Sequence, residues 1–342
     1  MKSVVKIIVI FTFAACGNTP RGIELVADNA QRKVDVLYDG KLFTSYIYPA
    51  DLEKTALYPV CTAHGTVITR GYPRDPRPND RIDHPHHVGA WFTFGDVNGV
   101  DFWGTSSVLP AERRPLYGEV RHTGIVSAQS GVNQATLVVT TDWVDFYEKL
   151  LLKEETTFVF RGEDDWRIVE RTTVLTACQD TVTFTDNKEG MIAIRMDRAF
   201  EEPSDQPGRF VDADGIITEV KVLNNEGVNG VYRNSEGFEK GDVWGKPTKW
   251  VSLSAEKAGE KISVAIVDHK DNPGYPAHSH ARGYGLFSTN NMGAQAFNEE
   301  ASQFKLMITR GQTTTFKHLM AVKTNGFVTD DEMNQLFAAF NK

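Results

Sequence analysis

Three histidines fall within four positions in Arg81-Ile82-Asp83-His84-Pro85-His86-His87, beside an aspartate and an arginine. Imidazole exchanges a proton near neutral pH and is also a common metal ligand. In an extended backbone His84 and His86 share a face and His87 points away. That spacing suits a metal site, two catalytic histidines, or one working histidine with two structural neighbours. Trp91, Phe92, Phe94, Phe102 and Trp103 follow closely. Aromatic walls with a few convergent polar groups are the composition of a ligand cleft.

A second polar group, Thr185-Asp186-Asn187-Lys188-Glu189-Gly190, precedes an apolar run ending at Arg195. Lys188 beside Glu189 would hold a carboxylate ionised or bind a substrate hydroxyl; a charged β-turn has the same composition. The third runs from Asp268-His269-Lys270-Asp271-Asn272-Pro273 to His278-Ser279-His280-Ala281-Arg282-Gly283-Tyr284. Pro273, Gly274 and Pro276 predict a loop here. Two His-x-His pairs would supply four imidazoles to a divalent metal, with His84, His86, His278 and His280 as the candidate ligands. Nothing in the sequence requires a cofactor, and spacing fixes no completing carboxylate. There is no Gly-x-Gly-x-x-Gly, P-loop, His-Glu-x-x-His or Gly-x-Ser-x-Gly, which disfavours nucleotide, zincin and triad chemistry.

The elements that must position these groups read as β. Alternating or β-branched runs recur along the chain, among them Lys33–Leu37, Val88–Phe94, Ala135–Val144, Leu150–Phe160, Trp166–Leu175, Met191–Met196, Ile262–Val267 and Thr313–Val322. Asp39-Gly40, Asn98-Gly99 and Asp214-Gly215 punctuate them. No βαβ alternation is present. Thr329 and Glu332 form a capping box, and Met333, Leu336, Phe337 and Phe340 share one face of a C-terminal helix. Glu201–Lys246, rich in Asp, Asn, Gly and Glu, reads as long loops. The expectation is an all-β fold, one large antiparallel sandwich over residues 22–342, with that short helix packed outside a sheet.

Residues 1–16 read as an address. Lys2 and Lys6 precede the apolar run Ile7–Phe13, and Ala14-Ala15-Cys16 follows, as in a lipoprotein signal with Cys16 as the lipidated residue. The run is shorter than a spanning helix. The expected location is the periplasm or cell surface, with membrane contact only through the lipid. Removing the two lysines takes the net charge from −8 to −10. No basic cluster offsets this, so nucleic acid is not an expected partner. Cys61 and Cys178 then remain, as a disulfide or as two core thiols.

Taken together, Arg70…Tyr72-Pro73, Asp83-His84-Pro85-His86-His87, Asp96-Val97-Asn98-Gly99-Val100-Asp101-Phe102-Trp103, Asp186-Asn187-Lys188-Glu189-Gly190 and Tyr284-Gly285-Leu286-Phe287 resemble the bacterial family labelled PmoA-like, or methane oxygenase PmoA, from about Tyr46 to Lys323. Particulate oxygenase subunits are integral membrane proteins, so the oxygenase activity is not carried over. The resemblance implies a supersandwich similar to galactose mutarotase and a place in bacterial sugar degradation. Mutarotase-type chemistry pairs a histidine acid with a carboxylate base, parts that fall to His86 or His87 and Glu189. The mutarotase base comes late in the chain, where this sequence has His278, His280 and Arg282.

The reading that follows is a carbohydrate-active enzyme of epimerase, lyase or hydrolase type. His84, His86, His87 and Glu189 are the catalytic candidates. Arg70, Asp83, Trp103, Asp186, Lys188, Arg195, His278, His280, Arg282 and Tyr284 would bind substrate. The alternatives are a non-catalytic glycan-binding lipoprotein and a metal-dependent oxidase or lyase.

Overall fold

The computed structural model describes residues 22–342; the signal and Cys16 lie outside them. Two large sheets dominate. One has nine strands in the order Ile23–Asp28, Lys33–Tyr38, Lys41–Ile47, Ala56–Val60, Ala90–Phe92, Ile192–Arg195, Leu286–Asn290, Ala277–Arg282 and Pro247–Thr248. The other has eight: Val231–Asn234, Trp250–Lys257, Glu260–Asp268, Thr313–Lys323, Trp166–Ala177, Leu150–Glu163, Gln134–Asp145 and Gly118–Gln129. Neighbouring strands run antiparallel throughout both.

Period-2 patterning builds the sandwich. Along Trp166–Ala177 burial alternates at every residue, as a strand with one face on a core requires. The inner faces of both sheets merge in one core, including Phe43, Phe92, Ile194 and Phe287 from the first and Leu137, Phe158, Phe160 and Phe316 from the second. Phe92 meets Phe316 at 5.9 Å between ring centroids. Asp39-Gly40 turns the chain with φ of +50° and +76°, the backbone of a two-residue hairpin.

Each sheet is also covered on its outer face. The helix Asp330–Phe340 starts at the Thr329–Glu332 capping box and lays Met333 against Trp250, Val267 and Leu319 of the eight-stranded sheet. Loops cover the nine-stranded sheet over Trp91, Ala193 and Leu286. Its central strands are therefore buried on both sides.

Two expectations are corrected. Glu201–Lys246 is not all loop: it holds the hairpin Gly208–Val211 with Ile217–Val220 and the edge strand Val231–Asn234. The His278–His280 segment is a strand, Ala277–Arg282, because Pro273, Gly274 and Pro276 finish their turn before it. Cys61 and Cys178 are free thiols, the first buried, with its thiol pushed up to about 11 by burial.

Candidate active-site cleft

Alternation in the nine-stranded sheet selects the residues of one outer-face cleft. On the adjacent strands Ala90–Phe92, Ile192–Arg195, Leu286–Asn290 and Ala277–Arg282, the residues Phe92, Ile194, Phe287 and Ala281 enter the inner core. Trp91, Arg195, Leu286, His280 and Arg282 alternate with them and point outward. A cavity of about 280 Å³ lies there, lined by His84, His86, His87, Trp103, Lys188, Glu189, His280, Arg282, Tyr284 and Leu286. All three polar segments of the sequence reach it.

The His84–His87 segment is a turn, so the face-sharing of His84 and His86 in an extended backbone does not apply. The His87 N–H donates to the His84 carbonyl at 3.0 Å, and His84 holds a φ of +40°, in the left-handed region that is uncommon for side chains other than glycine. The turn brings all three imidazoles together, with His86 edge-on to His84 at 5.7 Å and to His87 at 4.3 Å. The His84 and His87 rings stack at 4.9 Å and 3°. Tyr284 stacks on the other side of His84 at 5.0 Å, and Trp91 beyond His87 at 5.1 Å.

Arg70 holds this turn from below. Its guanidinium donates to the carbonyls of Arg81, Asp83, His84 and His87 and to the Asp83 carboxylate. Arg195 also donates to Asp83, at 2.7 Å. Arg70 and Arg195 are 2% and 0% exposed, so neither is placed to meet a substrate. They are structural cations: the loop takes the Arg70 Nη donors and Arg195 gives one to Asp83, while the Nε of each is buried without a hydrogen-bond partner. The two guanidiniums and His84 outweigh desolvation and hold the Asp83 carboxyl well below the usual range. Asp83 Oδ2 lies 3.3 Å from His84 Nδ1. A carboxylate at one imidazole nitrogen fixes the ring and leaves the other nitrogen for proton transfer. Burial, and then neighbouring cations such as Lys54, push His86 down to about 2. His87 is likewise held neutral by burial, His86 and Arg195.

On the facing side, Lys188 pairs with Glu189. The loop is pinned by Ser288 Oγ donating to the Gly190 carbonyl at 2.8 Å and Asn290 donating to the Asn187 carbonyl at 2.7 Å. Arg282 Nε donates to His280 Nε2 at 3.3 Å, which places the His280 proton on Nδ1, 3.7 Å from Glu189 Oε2. That Nδ1 is buried and has no hydrogen-bond partner. Burial holds the His280 imidazole neutral, pushed down to about 4. Tyr284 is kept protonated by burial, pushed up to about 12.

Besides Arg70, Asp83 and Arg195, which lie behind the cleft wall, two further expected binding residues do not line the cleft. The Asp186 carboxylate accepts the backbone N–H groups of Gln295, Ala296 and Phe304 at 2.8–3.0 Å, organising the segment that carries Phe297. His278 shares the face of His280 but stacks on Phe297 at 5.7 Å, so the four imidazoles do not converge on one metal. Among the described residues no group of three His, Cys, Asp or Glu side chains has a metal-holding arrangement.

Lys54 escaped the sequence reading. It is 2% exposed and donates to the Trp103 carbonyl, with its ammonium 5.6 Å from the Trp91 ring. Burial pushes it down to about 7 against the fields of Asp101, Glu53 and Glu189. Within Asp51-Leu52-Glu53-Lys54 it looks like an ordinary solvated charge. The only signal was the apolar strand starting two residues later.

Fold and site together define an antiparallel β-sandwich with a histidine- and arginine-lined cleft on one outer face. The chain belongs to a family of unknown function, DUF6807, whose model matches residues 33–338. The family description carries no oxygenase or PmoA designation, so the label in the sequence resemblance is not supported. No curated protein matches the chain. Among solved structures, it is similar to the GH36 α-galactosidase AgaB of Geobacillus stearothermophilus at 10% identity and a TM-score of 0.42, over 88% of this chain and 41% of that one. It is similar to the 4-α-glucanotransferase of Thermococcus litoralis at 8% identity and 0.32, over 89% and 40%. For the Slr1438 protein of Synechocystis sp. PCC 6803 the values are 8% and 0.29, over 92% and 99%. The chain thus spans about two fifths of the first two proteins' length.

Proposed function

We propose that this protein is a carbohydrate-active enzyme that moves a proton on a single sugar residue. The observation that carries the proposal is the meeting of the Asp83–His84 pair and the Glu189 carboxylate in one cleft. His84 is the acid–base group, oriented by Asp83, and Glu189, held by Lys188, is the second proton-transfer group. His86 and His87, both held neutral, shape the pocket, His87 stacked between His84 and Trp91 and His86 packed edge-on to it. His280, Arg282 and Tyr284 offer N–H and O–H donors to hydroxyls and the ring oxygen, and Trp103 supplies an apolar wall.

At about 280 Å³ the cleft is smaller than the roughly 300–1,000 Å³ of drug-sized sites. It has room for one sugar ring and not for an oligosaccharide. Proton transfer at a sugar carbon or at the anomeric hydroxyl needs only these groups. The signal-like Lys2–Cys16 segment supports an exported, lipid-anchored location for this activity.

Proton NMR of aldoses, ketoses and uronates in deuterated water, with and without enzyme, tests the proposal. Enzyme-dependent anomer exchange or deuterium incorporation is expected, reduced at least about 100-fold in His84→Ala and Glu189→Gln, as for loss of a general acid or base. Sugars that bind and return unchanged, with no exchange, would make the protein a glycan binder instead.

A further inference from the structure

The cleft carries an excess of positive charge in an acidic protein. The whole chain has a net charge of −8, yet Arg70, Arg195, Lys54, Lys188 and Arg282 surround or line the cleft. The carboxylates that answer them are Asp83, Glu189, Asp101 and Glu53. Asp83 is shared by two guanidiniums, and Lys188 and Glu189 cancel. Lys54 is offset chiefly by Asp101. Asp80 adds a weaker field behind Arg70.

Arg282 stands apart. It lines the cleft, is half-buried, and forms no ion pair among the described residues. Its Nε is occupied by His280, and its guanidinium lies 5.3 Å from the Trp244 ring. The nearby acids do not answer it. Glu201 is bound by Arg81 through both carboxylate oxygens. Glu202 lies against Gly283 and makes no ion pair with Arg282, its carboxyl being raised somewhat by burial. The histidines contribute no balancing negative charge. A half-buried guanidinium with free N–H donors facing a small cleft is a ready oxyanion clamp.

We propose that the cleft takes an anionic sugar, one ring bearing a carboxylate or a phosphate monoester, with its charged oxygens on the Arg282 guanidinium and Lys188 alongside. This names the substrate class of the proposed enzyme and rests on that reading for the sugar ring. The reacting carbon lies toward His84 and Glu189, while the anion docks at the Arg282 end. The excess positive charge also favours entry of an anion through the otherwise acidic surface.

Calorimetry with the full chain and matched probes tests this: glucose against glucuronate and glucose 6-phosphate, galactose against galacturonate, and inorganic phosphate alone. At least one anionic ring is expected to bind about tenfold or more tighter than its neutral partner, the scale of a charge-assisted hydrogen bond. Arg282→Gln should abolish that preference, bringing anionic and neutral rings to similar affinity, and added salt should weaken the anionic probes far more than the neutral ones. Whether the carboxylate or phosphate probes gain identifies the source of the oxyanion. Equal binding of neutral and anionic rings, or a preference unchanged in Arg282→Gln, overturns the proposal. Because binding is read without turnover, tight anionic binding with no proton exchange would uphold this inference and remove the catalytic one. Exchange on neutral sugars without anionic preference would do the reverse.

Discussion

Asp83 is the residue on which the cleft depends most. It is the counter-ion shared by two buried guanidiniums and the orienting group of His84. Asp83→Asn leaves both cations without their carboxylate, so a loss of about 3–5 kcal/mol is expected, as when one partner of a buried pair is removed. Urea denaturation of the folded variant measures it. The pH dependence comes from the buried histidines. His86, His280 and His318 are pushed down to about 2, about 4 and about 3, chiefly by burial. Below about pH 6.5 the unfolded chain takes up protons at these positions and the folded chain does not. Stability should therefore fall steadily from about pH 7 to about pH 4, seen as lower urea midpoints. Asp83 adds no slope in that window. Its depressed value keeps it ionised, so its contribution persists until the pH falls below the unfolded carboxylate range.

At the scale of elements, the strand Ala277–Arg282 shows how far spacing informs. The prolines and glycine before it make the segment read as a loop, yet it is a strand whose period of two places His278, His280 and Arg282 on one face. Phe297, from the short helix Ala294–Phe297, then separates His278 from the cleft. That helix is held by Asp186 from more than 100 residues away, a pairing no local pattern reveals. His280→Ala should weaken sugar binding about tenfold by removing a buried N–H donor. His278→Ala should change it by about twofold or less, as for an uncoupled neighbour. Parallel titrations of the two variants compare them. The segments 83–87, 186–195 and 278–284 stand out in the sequence because each concentrates unlike polar groups, but whether they share one pocket is decided only by the sheet that brings them together. The turn at His84 was not legible, because it is imposed by Arg70 donating to four carbonyls. Lys54 looked solvated because its burial is created by the Trp103 loop, distant in sequence.

For the molecule as a whole, the sandwich has two dressed outer faces with separate duties. Loops build a polar cleft on the nine-stranded sheet, and a helix seals the eight-stranded one. The capping box and the apolar face of that helix were legible because both signals are local. Met333 is fully buried under it against Trp250 and Leu319. Met333→Asp should cost about 3 kcal/mol or more through lost packing and a buried charge. The cleft, on the opposite outer face, should keep its ligand affinity at temperatures where the variant remains folded. Thermal melts paired with calorimetry separate the two effects.

The four rings Tyr284, His84, His87 and Trp91 form a nearly parallel column with centroid spacings of 4.9–5.1 Å. Its two ends differ in exposure, Trp91 being sealed at 1% and Tyr284 bordering the cleft. A proton placed on His84 changes the electric field along that column, and an indole's excited state responds to such a field. Among the six tryptophans of the chain, Trp91 is therefore the one whose emission is expected to shift when His84, two rings away, gains or loses a proton.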